Sequence, residues 1–331
     1  MSSQRTIAII NTERIGDSMI ALPALRSFLE HFPGARSILV TDTSTETLFS
    51  ASGLFSKIYT FRYRKASLPD YLDIARSLKR EHVDTIMLLP GGFFAAFIAY
   101  TAGIPVRAGL SSDMRGFMLT HKVRPLKDDR HRMHHYLDVL GALGIPATST
   151  IPKLTLPEKH TPLLPASPLT TIAIAPFTRD DIRRMYPLYR WKELVGILLE
   201  NKYRVVVIGS PDEALHYRTF LDDIARPGIT DCVGKYRLLE TAYTITECQA
   251  TIANDSGLMH LSAALGTPTV ALFGATRQEK AGPIGPHTVV VESTAECRHC
   301  DAKKQCAEPR CMEAIEPAVV IAAVEKLLKR R

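Results

Sequence analysis

The sequence predicts an α/β protein made of two parallel-sheet domains. Three observations predict it. Short β-branched apolar runs alternate with stretches whose apolar residues recur at helical spacing, the pattern of strand–helix–strand units with right-handed crossovers. Six prolines crowd residues 146–168, where neither a helix nor a central strand tolerates them, and the same alternation restarts beyond them. At 331 residues the chain has room for two domains of roughly 100–200 residues each.

Taken in order, residues 6–10 form the first β-branched run. Residues 18–31 follow as a helix, with Met19, Leu22, Leu25 and Leu29 near helical spacing and Pro33-Gly34 as its stop. Residues 37–40 read as a strand, 71–79 as a helix and 83–89 as a strand. Residues 85–106 carry no charge, and such a run is long enough to span a bilayer. Pro90-Gly91-Gly92 cuts it, so it reads instead as a strand, a turn and a short helix from Phe93 in a soluble chain. A helix over 134–143, stopped by Gly144 and Pro146, closes a first domain of residues 1–150. Residues 151–169 are the linker. The second domain, 170–316, has strands over 171–175, 204–208, 250–253 and 269–273, with helices over 191–200, 211–225, 238–248 and 258–265. The tail 317–331 is a C-terminal helix.

Hydrophobic residues at 46% and charged residues at 23% exclude a disordered chain. The net charge of +7 is uneven: residues 1–165 hold 20 basic and 14 acidic side chains, the remainder 21 and 20. A positive field on the first half suits an anionic partner (phosphate, sugar acid, nucleic acid or membrane surface) or is a solvated basic face. The aromatic–basic interleaving of RNA-binding modules does not occur, so no nucleic-acid partner is expected. The polar residues 1–6 and the short apolar run 7–10 make no signal peptide, and the six cysteines then read as thiols of a reducing, cytoplasmic compartment.

Ligands of such sheets sit at the carboxyl ends of strands, and four loops there carry chemistry. In Asn11-Thr12-Glu13-Arg14-Ile15-Gly16-Asp17-Ser18, Asp17 either caps the next helix or offers a carboxylate that takes a proton from an acceptor hydroxyl. In Asn254-Asp255-Ser256-Gly257-Leu258-Met259-His260, the helix start and Gly257 make an anion site suited to a diphosphate, or an ordinary cap. Pro176-Phe177-Thr178-Arg179-Asp180-Asp181-Ile182-Arg183-Arg184 supplies cations and a hydroxyl to a leaving diphosphate, or is a charged surface loop. In Gly209-Ser210-Pro211-Asp212-Glu213, Glu213 binds a ribose diol or sits in a helix first turn.

Together these loops resemble a known family. Arg14-Ile15-Gly16-Asp17 followed by Leu22-Pro23-Ala24-Leu25 is similar to the N-terminal signature of family 9 glycosyltransferases, the ADP-heptose:lipopolysaccharide heptosyltransferases. Gly234, Asn254-Asp255-Ser256-Gly257, His260-Leu261, Ala264-Leu265-Gly266-Thr267-Pro268, Leu272-Phe273-Gly274-Ala275-Thr276 and Gly282-Pro283-Ile284-Gly285 resemble its C-terminal signature. The resemblance implies a GT-B fold, two Rossmann-like domains facing across a cleft, with the acceptor on the first and the nucleotide-sugar on the second. It implies inverting transfer of heptose from an ADP-sugar with no catalytic metal and Asp17 as general base. On the donor side it implies Thr178, Arg184, Glu213, Asp255, Ser256, Gly257 and His260, with Tyr236 against the adenine. Arg184-Met185-Tyr186-Pro187 stands where the family often has Lys-x-Trp-Pro, so Arg184 replaces a lysine and Tyr186 a tryptophan.

The implied acceptor is an anionic, lipid-linked core oligosaccharide, which gives the basic first half a purpose: Arg14, Arg62, Arg64 and Arg115, with Lys65, Arg107, Lys122, Arg124, Lys127, Arg130 and Arg132, can hold its acidic groups. The implied location is cytoplasmic, peripheral to the inner membrane, and Phe93-Phe94-Ala95-Ala96-Phe97 either touches lipid or packs as a buried helix. A protein acceptor such as an autotransporter, and a nucleotide-sugar binder without catalysis, are the other readings. A dehydrogenase is disfavoured because no G-x-G-x-x-G follows the first strand, and a glycosidase because only one obvious carboxylate lies on the first loop.

Cys297, Cys300, Cys306 and Cys311 fall within fifteen residues. That clustering suits a structural tetrathiolate zinc or iron site, with Lys303 and Lys304 offsetting charge, or free thiols, or disulfides. Cys232 and Cys248 read as core thiols.

Overall fold

The computed structural model describes residues 4–90, 92–126, 129–158, 160–178, 181–300, 306 and 309–329. Gly91, Lys127, Arg179, Asp180, Lys303 and Lys304 of the motifs above lie outside the described residues, as does the side chain of Arg64. The chain divides into two compact units, Met1–Pro157 and Glu158–Arg331.

The first unit runs β1 (Thr6–Ile10), α1 (Ile15–Ile20), α2 (Leu22–His31), β2 (Arg36–Asp42), α3 (Glu46–Ser52), β3 (Lys57–Phe61), α4 (Leu68–Arg80), β4 (Thr85–Leu88), α5 (Phe93–Thr101), β5 (Val106–Leu110), β6 (His121–Val123) and α6 (Met133–Ala142). Its six strands are parallel, in the order β3-β2-β1-β4-β5-β6. β1 and β4 are buried along their whole length, as strands covered on both faces must be. Tyr71, Ile74 and Leu78 of α4 and Ala95, Ala96, Ile98 and Ala99 of α5 cover one face. The expected helix over 18–31 is two helices. It begins earlier, at Ile15, and breaks at Ala21, because Pro23 has no N–H for the Met19 carbonyl and its ring crowds that group.

The second unit repeats the plan. It runs β7 (Thr171–Ala175), α7 (Leu188–Glu200), β8 (Arg204–Val207), α8 (Pro211–His216), α9 (Arg218–Ile224), β9 (Ile229–Asp231), α10 (Leu238–Thr246), β10 (Ala250–Asn254), α11 (Gly257–Leu265), β11 (Thr269–Phe273), α12 (Gln278–Ala281), β12 (Thr288–Glu292), α13 (Arg310–Glu313) and α14 (Pro317–Leu328). The order β12-β11-β10-β7-β8-β9, all parallel, is the first unit's order again. Trp191, Leu194 and Leu198 of α7 and Val320 and Val324 of α14 fill its core. The expected helix over 211–225 is interrupted at Tyr217. Gly234, at φ +71°, is required twice over: a Cβ there would stand 3.0 Å from Pro211 Cα at the start of α8, and the backbone is left-handed.

Part of the proline-rich stretch is strapped to the second unit. The Glu247 carboxylate accepts the Leu163 and Leu164 amides at 2.9 Å each and bonds His160 Nε2 at 2.9 Å, while the His160 ring stacks on Tyr243 at 4.1 Å. Among the described residues no helix is long and apolar enough to cross a membrane.

Candidate active site

In both units the direction of strand addition reverses beside the first strand, between β1 and β4 and between β7 and β10. Loops diverge there and leave a crevice at the strand ends.

In the first unit a buried asparagine fixes the loop after β1. Asn11 Nδ2 donates to Ser18 Oγ at 3.0 Å and Thr41 Oγ1 at 3.2 Å, and its backbone carbonyl accepts the Tyr63 hydroxyl at 2.7 Å. This brings α1 in so that Asp17 lies in its first turn. The N-cap is Arg14, and no side chain caps the helix, so the Asp17 carboxylate is not spent there. It is 19% exposed, lies 3.7 Å from Arg132 Nη1 and accepts a hydrogen bond from the Tyr136 hydroxyl. Burial first, and then the Asp17 charge, push the Tyr136 phenol well above its ordinary range, so it stays a donor. Arg132 and Tyr136 come from the start of α6, neither singled out as a partner of Asp17 by the sequence, because the pairing spans more than a hundred residues.

Asp17 lines a cavity of about 470 Å³ with Arg14, Arg132, His135 and Tyr136 on the polar side and Phe61, Tyr63, Tyr71 and Phe94 opposite. Arg14, expected as an acceptor contact, thus lines the same cavity as Asp17. Arg62 is exposed but outside the lining. Arg115 is a correction. It is fully buried, donating to the Leu110 carbonyl at 2.6 Å and the Gly92 carbonyl at 2.8 Å. Burial lowers it to about 10, against the opposing pull of Asp113. Its guanidinium props the wall of the cavity from behind.

In the second unit Asn254 does what Asn11 does in the first. Fully buried, it accepts the Tyr186 amide at 3.0 Å and donates to the Pro176 carbonyl at 2.7 Å, stitching together the loops after β7 and β10. Beside it Asp255 accepts Thr276 Oγ1 at 2.6 Å and lies 3.5 Å from Arg184 Nη1. Arg184 also lies 3.8 Å from Asp181 and is 22% exposed. Burial alone would raise the Asp181 carboxyl, but the Arg183 guanidinium and amide outweigh it and hold it below the ordinary range. Thr178 closes this loop by donating to the Asp181 carbonyl at 2.8 Å. Ser256 is the N-cap of α11, yet its hydroxyl makes no cap bond and is buried with no partner among the described residues. Gly257 opens that nine-residue helix and His260 is buried in its first turns.

Two expected donor contacts, and the tyrosine of the Arg184-Met185-Tyr186-Pro187 segment, have structural duties. Glu213 Oε2 accepts the Ser210 amide at 2.6 Å in a capping box. The Tyr236 hydroxyl donates to the Leu163 carbonyl at 3.2 Å. Tyr186, in place of the family's tryptophan, is a core residue, edge-on to Trp191 at 5.5 Å and bonded to the Ile315 carbonyl at 2.7 Å.

All six cysteines are free thiols. Burial pushes Cys311 up to about 11, and Cys297, Cys300 and Cys306 push in the same direction. Among the described residues no three His, Cys, Asp or Glu side chains converge to hold a metal. Cys232 and Cys248 are buried, raised to about 11 and about 12 by burial, as core thiols are.

The chain resembles characterised proteins over most of its length. It is 29% identical over 231 residues to lipooligosaccharide heptosyltransferase 2 of Haemophilus influenzae, covering 64% of this chain and 66% of that one. It is 24% identical to lipopolysaccharide heptosyltransferase 2 of Escherichia coli, covering 86% and 87%. The solved structure of the E. coli ADP-heptose lipopolysaccharide heptosyltransferase II superimposes with a TM-score of 0.82 at 21% identity, over 98% of this chain and 99% of that one. The fold is thus of the GT-B type. The profile of glycosyltransferase family 9 (heptosyltransferase) matches residues 71–311, which takes in every loop of the second unit described above and the aromatic wall from Tyr71 onward. A match over that much of the chain settles its membership: this protein belongs to glycosyltransferase family 9, the heptosyltransferases.

Proposed function

We propose that the chain transfers heptose from ADP-heptose to a hydroxyl of the lipopolysaccharide inner core, on the cytoplasmic side of the inner membrane, with the acceptor on the first unit and the donor on the second. The names of the relatives support the substrates. The observation that carries the chemistry is Asp17: a carboxylate in a helix first turn that caps nothing and faces a cavity.

The reaction is a single displacement with inversion. The acceptor hydroxyl gives its proton to Asp17 as its oxygen bonds to the anomeric carbon, and the bond from that carbon to the diphosphate breaks with its electron pair going to ADP. Tyr136 donates to the carboxylate and Arg132 stands beside it, which leaves an oxygen facing the cavity for the acceptor. Charge growing on the diphosphate is met by Arg184, by the first amides of α11 and by the Ser256 hydroxyl. Fixed donors of this kind cost no reorganisation during the reaction. Asp255, paired with Arg184 and hydrogen-bonded by Thr276, orients Arg184 and leaves Gly257 and His260 toward the sugar. Glu213 reaches the ribose through Oε1 alone, and Tyr236 offers its ring to the adenine.

The test is ADP release from ADP-heptose with deacylated inner-core acceptor, product mass being read by mass spectrometry. Asp17→Asn lowers turnover by about 10²–10⁴-fold and leaves ADP affinity unchanged. Donor binding without ADP release with any carbohydrate or protein acceptor would overturn the reading in favour of a non-catalytic binder. Transfer to protein alone would replace the acceptor.

A further inference from the structure

The face that α5 turns away from the sheet is built in reverse. Its small residues, Ala95, Ala96 and Ala99, are buried with Ile98, while Phe93, Phe94 and Tyr100 stand 38%, 45% and 52% exposed. Phe93, Phe97 and Tyr100 share one side of the helix at spacings of four and three, with the Phe93 and Phe97 rings 6.2 Å apart. The short helical turn Arg115–Met118 extends that side: Phe117, 67% exposed, sits edge-on to Tyr100 at 6.2 Å, and Met114 beside it is 90% exposed.

This is not a slack loop. Met114 holds a left-handed backbone at φ +56°, and the next residue is the buried Arg115. Its guanidinium is bonded to Gly92, the N-cap of α5, and to Leu110, the last residue of β5. One buried cation therefore fixes both segments that carry the exposed apolar residues. The rim is cationic. Arg107 lies over the Tyr100 ring at 5.7 Å and bonds the Met118 carbonyl at 2.6 Å, and Lys122 and Arg124 are exposed on and just after β6. Over residues 93–126 the sole carboxylate is Asp113.

We infer that this face docks on an anionic lipid surface, with Met114 and Phe117 entering the interface and Arg107, Lys122 and Arg124 meeting the headgroups. Exposed aromatic and methionine side chains with exposed cations on the adjoining strand suit a lipid interface, whose interior takes the apolar groups and whose charge takes the cations. The same face leads to the site: Phe94 stacks on Tyr71 at 4.2 Å, and both rings line the cavity that holds Asp17. The inference deepens the proposed function by saying how a lipid-linked acceptor is presented, and its test does not depend on turnover.

Phe117→Trp places a reporter at the tip. The native Trp191 is fully buried in the second unit and contributes a constant background. On phosphatidylglycerol-containing vesicles the F117W emission shifts to the blue and is quenched by brominated acyl chains, with a much weaker response on phosphatidylcholine alone and at high salt. The double variant Met114→Ser, Phe117→Ser loses vesicle co-sedimentation by about tenfold or more, since each deletes a large apolar group from the interface, and keeps its rate on a deacylated, water-soluble acceptor. An unshifted F117W signal on anionic vesicles overturns the inference. So does undiminished co-sedimentation of the double variant, or an F117W shift that follows protein concentration without lipid, which would make the occupant a second copy of the chain. Absence of transfer by the wild type with every acceptor would instead count against the heptosyl-transfer reading and leave the vesicle result standing.

Discussion

Asn254 tests how the donor side is assembled. Its side chain is fully buried and makes two bonds, from the Tyr186 amide at 3.0 Å and to the Pro176 carbonyl at 2.7 Å. Asn254→Ala strips both partners at once. Each stranded backbone group costs about 1–3 kcal/mol, so the second unit loses about 2–6 kcal/mol. Asn254→Asp separates the two bonds. One carboxylate oxygen still accepts the Tyr186 amide, but the other meets the Pro176 carbonyl and can bond it only when protonated. The folded state thus holds that proton more tightly than the unfolded state, whose pKa is about 3.9. The variant's stability is then fully present below that value and lost as pH rises through the higher folded-state value. Urea unfolding followed by Trp191 fluorescence isolates the second unit, because that single tryptophan is buried there and a chain of two units need not unfold in one step. With the loops unstitched, ADP binding by calorimetry weakens about tenfold, the equivalent of 1.4 kcal/mol. A Trp191 transition in Asn254→Ala shifted by less than about 1 kcal/mol, or an Asn254→Asp variant that grows more stable with pH, would refute the reasoning.

Three further outcomes follow from the same reading. Tyr136→Phe removes the donor to Asp17 without emptying the space its ring fills, so kcat falls about tenfold, as loss of one charge-assisted hydrogen bond predicts, while ADP affinity stays the same; equal kcat in the two proteins would remove Tyr136 from the mechanism. Glu81 accepts Lys57 Nζ and the Tyr59 hydroxyl, both at 2.6 Å, and pairs with Arg36 at 2.5 Å. The Lys57 and Tyr59 bonds hold its carboxyl below the ordinary range, so this clasp stabilises above that range and is lost on acidification; Glu81→Gln flattens the acid side of a thermal-melt pH series, and an unchanged acid slope would deny the clasp. Cys297 is exposed whereas Cys311 is buried and raised to about 11, so mass-mapped alkylation near neutral pH labels Cys297 first; early labelling of Cys311 would contradict this difference in exposure.

The repeated grammar of strands and helices was legible because strands buried on both faces, such as β1 and β7, are continuous apolar runs. The outer strands were not legible for the same reason reversed. β6 (His-Lys-Val) and β9 (Ile-Thr-Asp) lie at sheet edges, where one side meets water and polar residues are admitted. Helix breaks were missed where they depend on one residue, as at Pro23. At the sites, sequence pointed to Asp17, Arg184 and the start of α11, whose neighbours along the chain carry the signal. It could not identify Tyr136, Arg132 or Thr276 as partners, since their roles come from strand order. It also misjudged Arg115: a lone arginine in a basic stretch looks like a surface cation, and only the carbonyls of Gly92 and Leu110 explain why one is buried.

The charge asymmetry of the sequence acquires a physical meaning from these placements. At the donor loops Asp181, Arg183, Arg184 and Asp255 balance one another, with Arg184 between two of the carboxylates. In the proposed reading a diphosphate is therefore not drawn there by surplus positive charge; it would be met by directed donors, the first amides of α11 and the Ser256 hydroxyl, which has no partner among the described residues, and by a guanidinium placed between Asp181 and Asp255. Such a site binds an anion by geometry, so its affinity should fall only gently with salt. The first unit works the other way. Its surplus cations stand around an aromatic-walled cavity and an apolar face, where screening by salt acts on exposed charge. Salt should then weaken acceptor and vesicle engagement well before it weakens ADP binding, a difference in slope that a buried, self-compensated donor site and an open cationic surface require.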